Sequence, residues 1–372
     1  MNRKLFSVLL ASSILLLGAC DNKKPSGPVI PDYEDGEAKA QDGVGTIFNE
    51  VVGYNTKDAT IFEESGTRYV IYGSNETAKG DPVFAARSAS KDEDGNWVYG
   101  EKHIVLRGAE SSWDVNISNP SVIKGSFAYN GTTYSYLMAY DGNNNSNNTN
   151  HHIGLAVTND LLGEWVRVGT RPILENPESQ EAAYGFGSAS LLSYDKSGKG
   201  YLFYTVGETN ITYEAVKTFD FSNLSNPQLE VGFATLPVTG LNDNADVNII
   251  TNASFAFDSS KDVLYMVRDR LPNSASAPGQ STALEISKAS SSITFDFSKS
   301  WTNVRYIKGS DTMDPDDDDS LGWDEIYSGD FITDEYGVLL DNDSAEVVYS
   351  TYDEDHQDAK YTSTLSLFAF DL

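Results

Sequence analysis

One phrase recurs five times along the chain, and this repeat limits the possible folds more than any other feature. The copies begin at residues 58, 119, 188, 252 and 330, in the segments DATIF, NPSVI, SASLL, NASFA and DFIT. Each copy has a short strand, a turn rich in Gly, Ser and Asp, and a second strand rich in Tyr and β-branched residues. This order is typical of a β-hairpin.

Further strands complete each repeat. A third strand follows every hairpin, in residues 83–90, 152–160, 213–220, 283–290 and 363–372. A fourth follows in the first four copies, in residues 97–106, 165–174, 229–238 and 301–309. The fifth copy has no fourth strand, whereas residues 43–53 supply an extra one at the start. The chain is therefore predicted to be an all-β, five-bladed β-propeller with four-stranded blades, the last closed by the N-terminal strand. A β-sandwich or two separate β-domains is the alternative.

The first 42 residues have the pattern of an export signal and a tether. Residues 1–19 combine a basic start with an apolar run that is too short to be a good membrane span. The run ends in Leu-Gly-Ala-Cys, which resembles the lipobox of bacterial lipoproteins, so Cys20 is predicted to carry the lipid. Residues 20–42 are polar and contain Pro and Gly, as expected of a flexible tether, and residues 43–372 form the propeller. An ordinary secretory signal with a chance cysteine is the alternative.

The charge of the chain limits its partners. The 55 acidic residues exceed the 26 Lys and Arg residues, which gives a net charge of −29. Because phosphates would be repelled, nucleic acid is not expected to bind, and membrane contact is expected through the lipid only. We therefore expect a neutral, polyhydroxylated substrate and a monomeric lipoprotein of the cell envelope. It would lie on the periplasmic side of either membrane or on the cell surface.

Propeller geometry predicts where functional residues meet. The innermost strand of each blade begins on the face at which the second strand ends, so both places border one funnel. The starts of the first strands supply Asp58, Asn119, Ser188, Asn252 and Asp330. The ends of the second strands supply Asp141, Glu208, Arg268, Arg270 and the acidic residues 353–355. Paired carboxylates suit glycosidic bond hydrolysis, in which one is base or nucleophile and the other, with a raised pKa, donates a proton.

Two phrases resemble known enzymes. Asp58-Ala59-Thr60-Ile61 followed by GTRYVIYGSN resembles the first blade of glycoside hydrolase family 43, and the stretch from NPSVI to RPIL resembles its second blade. The phrase GSASLL…GYLFYT is similar to one in the fructan-active levansucrases and invertases, where it belongs to an earlier blade. The resemblance spans about residues 45–372. It implies a propeller hydrolase acting on arabinose-, xylose-, galactose- or fructose-type sugars.

The resemblance also implies residue roles. Asp58 matches the catalytic Asp, which is the general base in family 43 and the nucleophile in the fructan-active enzymes. A turn residue before a strand is the alternative for Asp58. Ser121 is nearest to the second-blade Asp of family 43, and Asp114 upstream is a potential substitute. The general-acid Glu opens a later blade in the family, yet the matching positions hold Ser188 and Asn252. These departures place the acid elsewhere or make the protein a non-catalytic glycan-binding propeller.

Other carboxylates are candidates for the missing acid. Glu208 is the first candidate and Glu181 the second, and a solvated loop carboxylate is the alternative for each. Asp330 is expected to orient a sugar or tune a neighbour, or to be a turn residue only. The expected sugar-binding residues are Asn119, Ser188, Asn252, Arg268, Asp141 and His152. A structural ion pair is the alternative for Arg268.

No cofactor is required by this chemistry, and a structural calcium ion is the one ion that the sequence allows for. Residues 314–325 carry acidic side chains at positions one, three, five and twelve of a calcium-loop pattern, but Asp319 replaces the turn Gly. A solvated acidic loop is the alternative. The resemblance implies that a histidine can hold a central metal ion, which makes His151 and His356 candidate ligands.

Overall fold

The computed structural model describes residues 44–48, 55–77, 80–209, 211–230, 232–241, 250–270, 281, 283–290, 299–308, 325–352 and 364–372. The predicted signal peptide, Cys20 and the tether lie outside the described residues, as do His356 and nearly all of the calcium-loop pattern. Within the described ranges, no helix has the length and apolar character needed to cross a bilayer.

The strands fall into five groups, which we call blades 1 to 5. Strand β1 (Val44–Phe48) precedes them. Blade 1 holds β2 (Lys57–Glu64), β3 (Thr67–Asn75), β4 (Pro82–Lys91), β5 (Trp97–Tyr99) and β6 (His103–Arg107). Blade 2 holds β7 (Asn116–Tyr129), β8 (Thr132–Asn143), β9 (His152–Thr158) and β10 (Val166–Arg167). Blade 3 holds β11 (Gly185–Ser193), β12 (Lys199–Glu208), β13 (Ile211–Asp220), β14 (Gln228–Leu229) and β15 (Ala234–Thr235). Blade 4 holds β16 (Ser254–Asp258), β17 (Val263–Arg270), β18 (Ala283–Ser290) and β19 (Thr302–Lys308). Blade 5 holds β20 (Glu325–Asp334), β21 (Ser344–Tyr352) and β22 (Thr364–Asp371).

The N-terminal strand completes the last blade. Strand β1 pairs antiparallel with β22, with Val44 opposite Phe368. The five first strands (β2, β7, β11, β16 and β20) adjoin one another in a closed ring, and the ring closes where β2 runs parallel to β20. The predicted all-β, five-bladed propeller is therefore confirmed, and the sandwich alternative is wrong.

Apolar side chains fill the spaces between neighbouring blades. Successive strand residues point to opposite faces, so each strand contributes to two such spaces. In β12, Leu202 packs towards blade 2, whereas Phe203 packs towards blade 4 and stacks on Phe255 at 4.1 Å between ring centroids. Because both faces are covered, these strands are nearly continuous runs of apolar residues, which makes the repeat visible in the sequence.

The turn between β20 and β21 spans the end of the ring opposite the strand starts. Its carbonyl oxygens accept backbone hydrogen bonds from three blades: Lys124 donates to Glu335 at 2.7 Å, Ser193 to Tyr336 at 3.0 Å and Phe257 to Gly337 at 3.1 Å. This turn links blades 2, 3 and 4 to blade 5 and covers that end of the ring. A binding site is therefore expected at the other end, where the first strand of each blade begins.

Candidate active site

The five inner strands share one backbone irregularity at their starts. Residues Asp58, Asn119, Ser188, Asn252 and Ser328 have φ of +51°, +50°, +49°, +47° and +50°. In blades 1, 2, 3 and 5, strand pairing skips two residues at this point, as in a β-bulge. Left-handed backbone is costly for residues other than Gly, and such strain concentrates at functional sites.

This irregularity corrects the alignment of the fifth copy. Ser328, not Asp330, occupies the position of Asp58, because its backbone is the one with positive φ in blade 5. Asp330 lies two residues further on and corresponds to Thr60 of blade 1, where strand pairing resumes. The expectation that Asp330 opens blade 5 is therefore wrong by two residues.

Each irregular residue is anchored to the preceding blade. Its backbone N–H donates to a side chain on the second strand of that blade in four cases: Asp58 to Ser350 Oγ at 2.9 Å, Ser188 to Asp141 Oδ1 at 3.2 Å, Asn252 to Thr205 Oγ1 at 3.1 Å and Ser328 to Asp269 Oδ1 at 2.8 Å. The ends of the second strands thus fix the backbone of the neighbouring strand starts.

These starts line one pocket on the ring axis. It encloses about 350 Å³, part of it open to solvent. Its wall is formed by Asp58, Ala59, Asn119, Pro120, Ser121, Ser188, Ala189, Asn252, Ala253, Ser254, Ser328, Gly329 and Asp330. The structure therefore brings together all five predicted strand-start residues, including Asp330, although Asp330 reaches the pocket from a position deeper in its strand.

Asp58 is held on this wall by a neighbouring cation. The residue is 6% exposed, and its Oδ2 lies 3.0 Å from the Lys57 Nζ. The charge of Asp58 raises the pKa of Lys57, against the opposing effect of burial. The pair is not sealed from water, because the Lys57 side chain is 34% exposed. The ion pair thus fixes the position of the Asp58 carboxylate on the pocket wall.

Asp330 has the opposite protonation tendency. Burial raises its pKa to about 6, although hydrogen bonds from Ser254 and Thr60 favour the ionised form. Burial likewise raises the pKa of Asp269 to about 7, while Asn252 Nδ2 donates to its Oδ2 at 2.7 Å. Two carboxyls near the pocket thus retain protons at pH values at which an exposed Asp has lost them.

Asp141 and His151 form a buried pair next to the pocket wall, and Asp141 also bonds to the wall residue Ser188. Asp141 is fully buried and accepts hydrogen bonds from Ser118 Oγ at 2.8 Å and from the Ser188 backbone. The His151 Nδ1 lies 2.9 Å from Asp141 Oδ2, and the imidazole stacks on Tyr184 at 4.6 Å between ring centroids. Burial, followed by the charge of Asp141, raises the pKa of Tyr184, which keeps its phenol neutral.

The surroundings of His151 do not fit a metal ion. Its Nδ1 faces Asp141, and its Nε2 lies 2.8 Å from Asn143 Nδ2 and 3.0 Å from Asn148 Oδ1, so neither nitrogen is free to ligate. Among the described residues, no group of three His, Cys, Asp or Glu side chains is arranged to hold a metal.

Three of the predicted catalytic carboxylates lie away from the pocket wall. Glu208 is exposed at the end of β12 and accepts a hydrogen bond from the Tyr213 hydroxyl at 3.2 Å. Glu181 is exposed in the loop before β11. Asp114 is fully buried, and its Oδ2 accepts from Arg167 Nε at 2.7 Å and Tyr140 at 2.9 Å. These contacts give Asp114 a structural ion pair.

Two predicted sugar-binding residues are also held inside the protein. Arg268 is buried and forms an ion pair with the buried Glu285 at 2.5 Å. His152 is buried and accepts a hydrogen bond from the Asn176 backbone at 2.9 Å on Nδ1. Burial lowers the pKa of His152, which favours its neutral form. Neither residue is on the pocket wall.

Sequence reasoning missed Lys57 and Glu214. Lys57 could have been noticed, because it precedes the candidate base directly. Glu214 is fully buried in β13, its pKa is raised by burial, and Thr205 Oγ1 donates to its Oε2 at 3.0 Å. The segment YEAVKTF contains two charged residues, Glu214 and Lys217, and its pattern does not indicate that Glu214 is fully buried.

Comparison with known proteins identifies relatives by structure only, since no family model and no curated protein matches the chain. A thermostable family-43 glycoside hydrolase superposes with a TM-score of 0.52 at 14% identity, covering 87% of this chain and 92% of that one. The α-L-arabinofuranosidase PaAbf62A from Podospora anserina, in complex with cellotriose, gives 0.53 at 13% identity, covering 88% and 95%. A GH62 hydrolase in complex with xylotriose gives 0.55 at 10% identity, also covering 88% and 95%.

The chain has the fold of these glycoside hydrolases. The resemblance to family 43 is thereby confirmed at the level of the fold, over nearly the whole length of each protein.

Proposed function

We propose that this protein is a glycoside hydrolase that cleaves glycosidic bonds of an oligosaccharide or polysaccharide. The observation that carries the proposal is the position of Asp58, which is paired with Lys57 on the wall of the axial pocket. Two carboxyl groups on the wall of one pocket, one of them with a raised pKa, are the arrangement that this reaction needs.

Asp330 is the general acid in this proposal, in place of Glu208 and Glu181. It lines the same pocket as Asp58, and its raised pKa of about 6 keeps part of it protonated near neutral pH. Asp330 gives its proton to the glycosidic oxygen as the bond to C1 breaks. Asp58 either takes a proton from the attacking water or attacks C1 itself, depending on the distance at which a bound sugar is held.

The rest of the wall suits a neutral sugar. Asn119, Ser188 and Asn252 offer amide and hydroxyl groups at the pocket, and none of the described residues that line it is a Lys or an Arg. Ser188 Oγ donates to Asn252 Oδ1 at 2.6 Å, which fixes both side chains. Since two structural neighbours hold cellotriose and xylotriose, we assign arabinose- or xylose-type saccharides as the first substrates to test.

A non-catalytic glycan-binding propeller is the second candidate. It is favoured by the neutral Asn119 and Ser188, which stand at the starts of blades 2 and 3 in the position that holds Asp58 in blade 1. In this case the pocket would hold a sugar without cleaving it.

The experiment is to incubate the mature protein with arabino-, xylo-, galacto- and fructo-oligosaccharides and to measure released sugar. The variant Asp58→Asn removes the charge at constant size, and Asp94→Asn makes the same change in an exposed turn of blade 1. Hydrolysis that Asp58→Asn abolishes and Asp94→Asn preserves supports the enzyme. Binding without turnover by the unaltered protein across the panel supports the glycan-binding candidate.

We further propose that lipid on Cys20 anchors the protein in the cell envelope, supported by the export signal and lipobox pattern of residues 1–20. Cells that express the protein can be labelled with a fatty acid analogue to test whether Cys20 carries lipid. The full chain should incorporate the label, and the variant Cys20→Ser should not.

A further inference from the structure

An exposed aromatic surface lies on the outer flank of blade 3. Phe233 is 48% exposed and Ile211 is 56% exposed, in a protein that buries most of its large apolar side chains. Tyr213 stacks on Phe233 with 6.1 Å between ring centroids and 21° between ring planes. We call Ile211, Tyr213 and Phe233 the flank surface.

The exposure of Phe233 is fixed by contacts on both sides of it. Lys217 is buried, and its Nζ donates to the Glu230 carbonyl at 2.9 Å and to the Gly232 carbonyl. Directly after Phe233, β15 pairs with β13, which places Ala234 opposite Val216. The segment that carries the phenyl ring is therefore tied down at residues 230, 232 and 234. A ring held in this way is presented to solvent by the backbone and is not the tip of a frayed loop.

The flank surface begins at the rim of the axial pocket. Ile211 opens β13 and stands opposite Glu208, where β12 ends on the pocket face. Gly207 packs beneath Tyr184, which bonds to the pocket residue Ser188. With neighbouring strands 4.7–4.9 Å apart, the first and third strands of blade 3 are separated by about 10 Å. A chain that leaves the pocket over blade 3 would therefore meet Ile211 first. Phe233 precedes Ala234, which pairs with Val216, so it lies about 17 Å further along β13.

We infer that the flank surface binds a neutral polysaccharide outside the pocket and thereby holds the polymer whose glycosidic bonds the pocket cleaves. The flat ring of Phe233 suits the apolar face of a sugar ring, and Tyr213 adds a hydroxyl that suits its hydroxyl edge. The net charge of −29 disfavours an acidic partner on the same surface. The inference rests on the proposed function for the class of ligand, whereas the binding itself needs no turnover.

Affinity gel electrophoresis of the whole mature protein tests the inference. Soluble arabinoxylan, linear arabinan, galactan and levan are cast separately into native gels, and the retardation of Phe233→Ala is compared with that of the unaltered protein. The matched control is Tyr194→Ala, which removes a 44% exposed aromatic side chain from the hairpin turn at the opposite end of blade 3. Because Phe233 is exposed, its variant is expected to fold, which thermal unfolding checks.

We expect at least one polymer to retard the protein, with Phe233→Ala weakening that binding about two- to tenfold and Tyr194→Ala leaving it unchanged. Equal retardation of Phe233→Ala and the unaltered protein, or no retardation by any of the four polymers, overturns the inference. Hydrolysis is measured separately, as sugar released by the unaltered protein and by Asp58→Asn. Binding that depends on Phe233 without any hydrolysis would contradict the proposed function and leave the flank surface standing.

Discussion

The Lys57 Nζ lies 3.0 Å from the Asp58 Oδ2, and these two residues are neighbours in the chain. Adjacent residues of a strand normally point to opposite faces, which would separate them. Here the left-handed backbone of Asp58 interrupts that alternation and brings the two charged groups together. The strained backbone therefore sets the charge environment of the proposed base.

Removing the Lys57 cation should lower activity. The variant Lys57→Met keeps the length of the side chain but removes the ammonium that pairs with Asp58 at 3.0 Å. Because this ion pair holds the Asp58 carboxylate in place, we expect kcat/KM to fall about tenfold. The measurement is kcat/KM between pH 3 and 8 on the best substrate of the panel.

A purely structural Lys57 would give a different result. In that case Lys57→Met lowers thermal stability and leaves kcat/KM of the folded protein unchanged. Lys57→Arg serves as the control, because it keeps the charge and should retain most of the activity.

Asp330 should set the basic limb of the same profile. Its pKa is raised to about 6 by burial, so its protonated, proton-donating form is lost as the pH rises through that value. We expect kcat/KM to fall above about pH 6 and Asp330→Asn to lower it about 100-fold or more at pH 5. Glu181→Gln should retain the basic limb.

Two substrates with different leaving groups distinguish a loss of acid catalysis in Asp330→Asn from structural damage. An aryl glycoside with a strongly acidic phenol needs little protonation, so Asp330→Asn should impair it far less than an oligosaccharide. An equal loss on both substrates would argue against Asp330 as the proton donor.

Arg268 should contribute to stability and not to sugar binding. Its guanidinium is buried against Glu285, and Ser287 Oγ also donates to Glu285 at 3.0 Å. We expect Arg268→Met to destabilise the protein by about 3–5 kcal/mol, because it leaves the Glu285 charge buried without its cation. Chemical denaturation measures this. Recovery of most of the loss in Arg268→Met/Glu285→Leu would confirm the buried pair, whereas a change in KM alone would contradict it.

Ser328 should be replaceable by Gly with a gain in stability. Its φ of +50° is unfavourable for a residue with a Cβ, and Gly adopts it without that steric cost. We expect Ser328→Gly to raise the free energy of unfolding by roughly 0.5–1 kcal/mol. Ser126→Gly, at an exposed position of β7 without positive φ, should instead lower it. Destabilisation by Ser328→Gly would show that the serine side chain is needed there.

Most of the fold could be predicted from the sequence, because strands covered on both faces leave a strong, repeated apolar pattern. Leu202 and Phe203 illustrate this, since each packs into a different space between blades. The start of blade 5 could not be aligned, because the shared feature is the backbone angle of Ser328 and not its side chain. Glu208 was favoured because strand ends gather at the funnel, but its side chain bonds to Tyr213 on the third strand. The pairing of Lys57 with Asp58 depends on a bulge, which alternation alone does not reveal.

The most direct test of the central claim is a crystal structure of Asp58→Asn soaked with an oligosaccharide that the unaltered protein cleaves or binds. We predict a sugar seated in the axial pocket, with its C1 facing residue 58 and its glycosidic oxygen within hydrogen-bond distance of Asp330. Saccharide bound elsewhere with an empty axial pocket, or C1 turned away from residue 58, would contradict it.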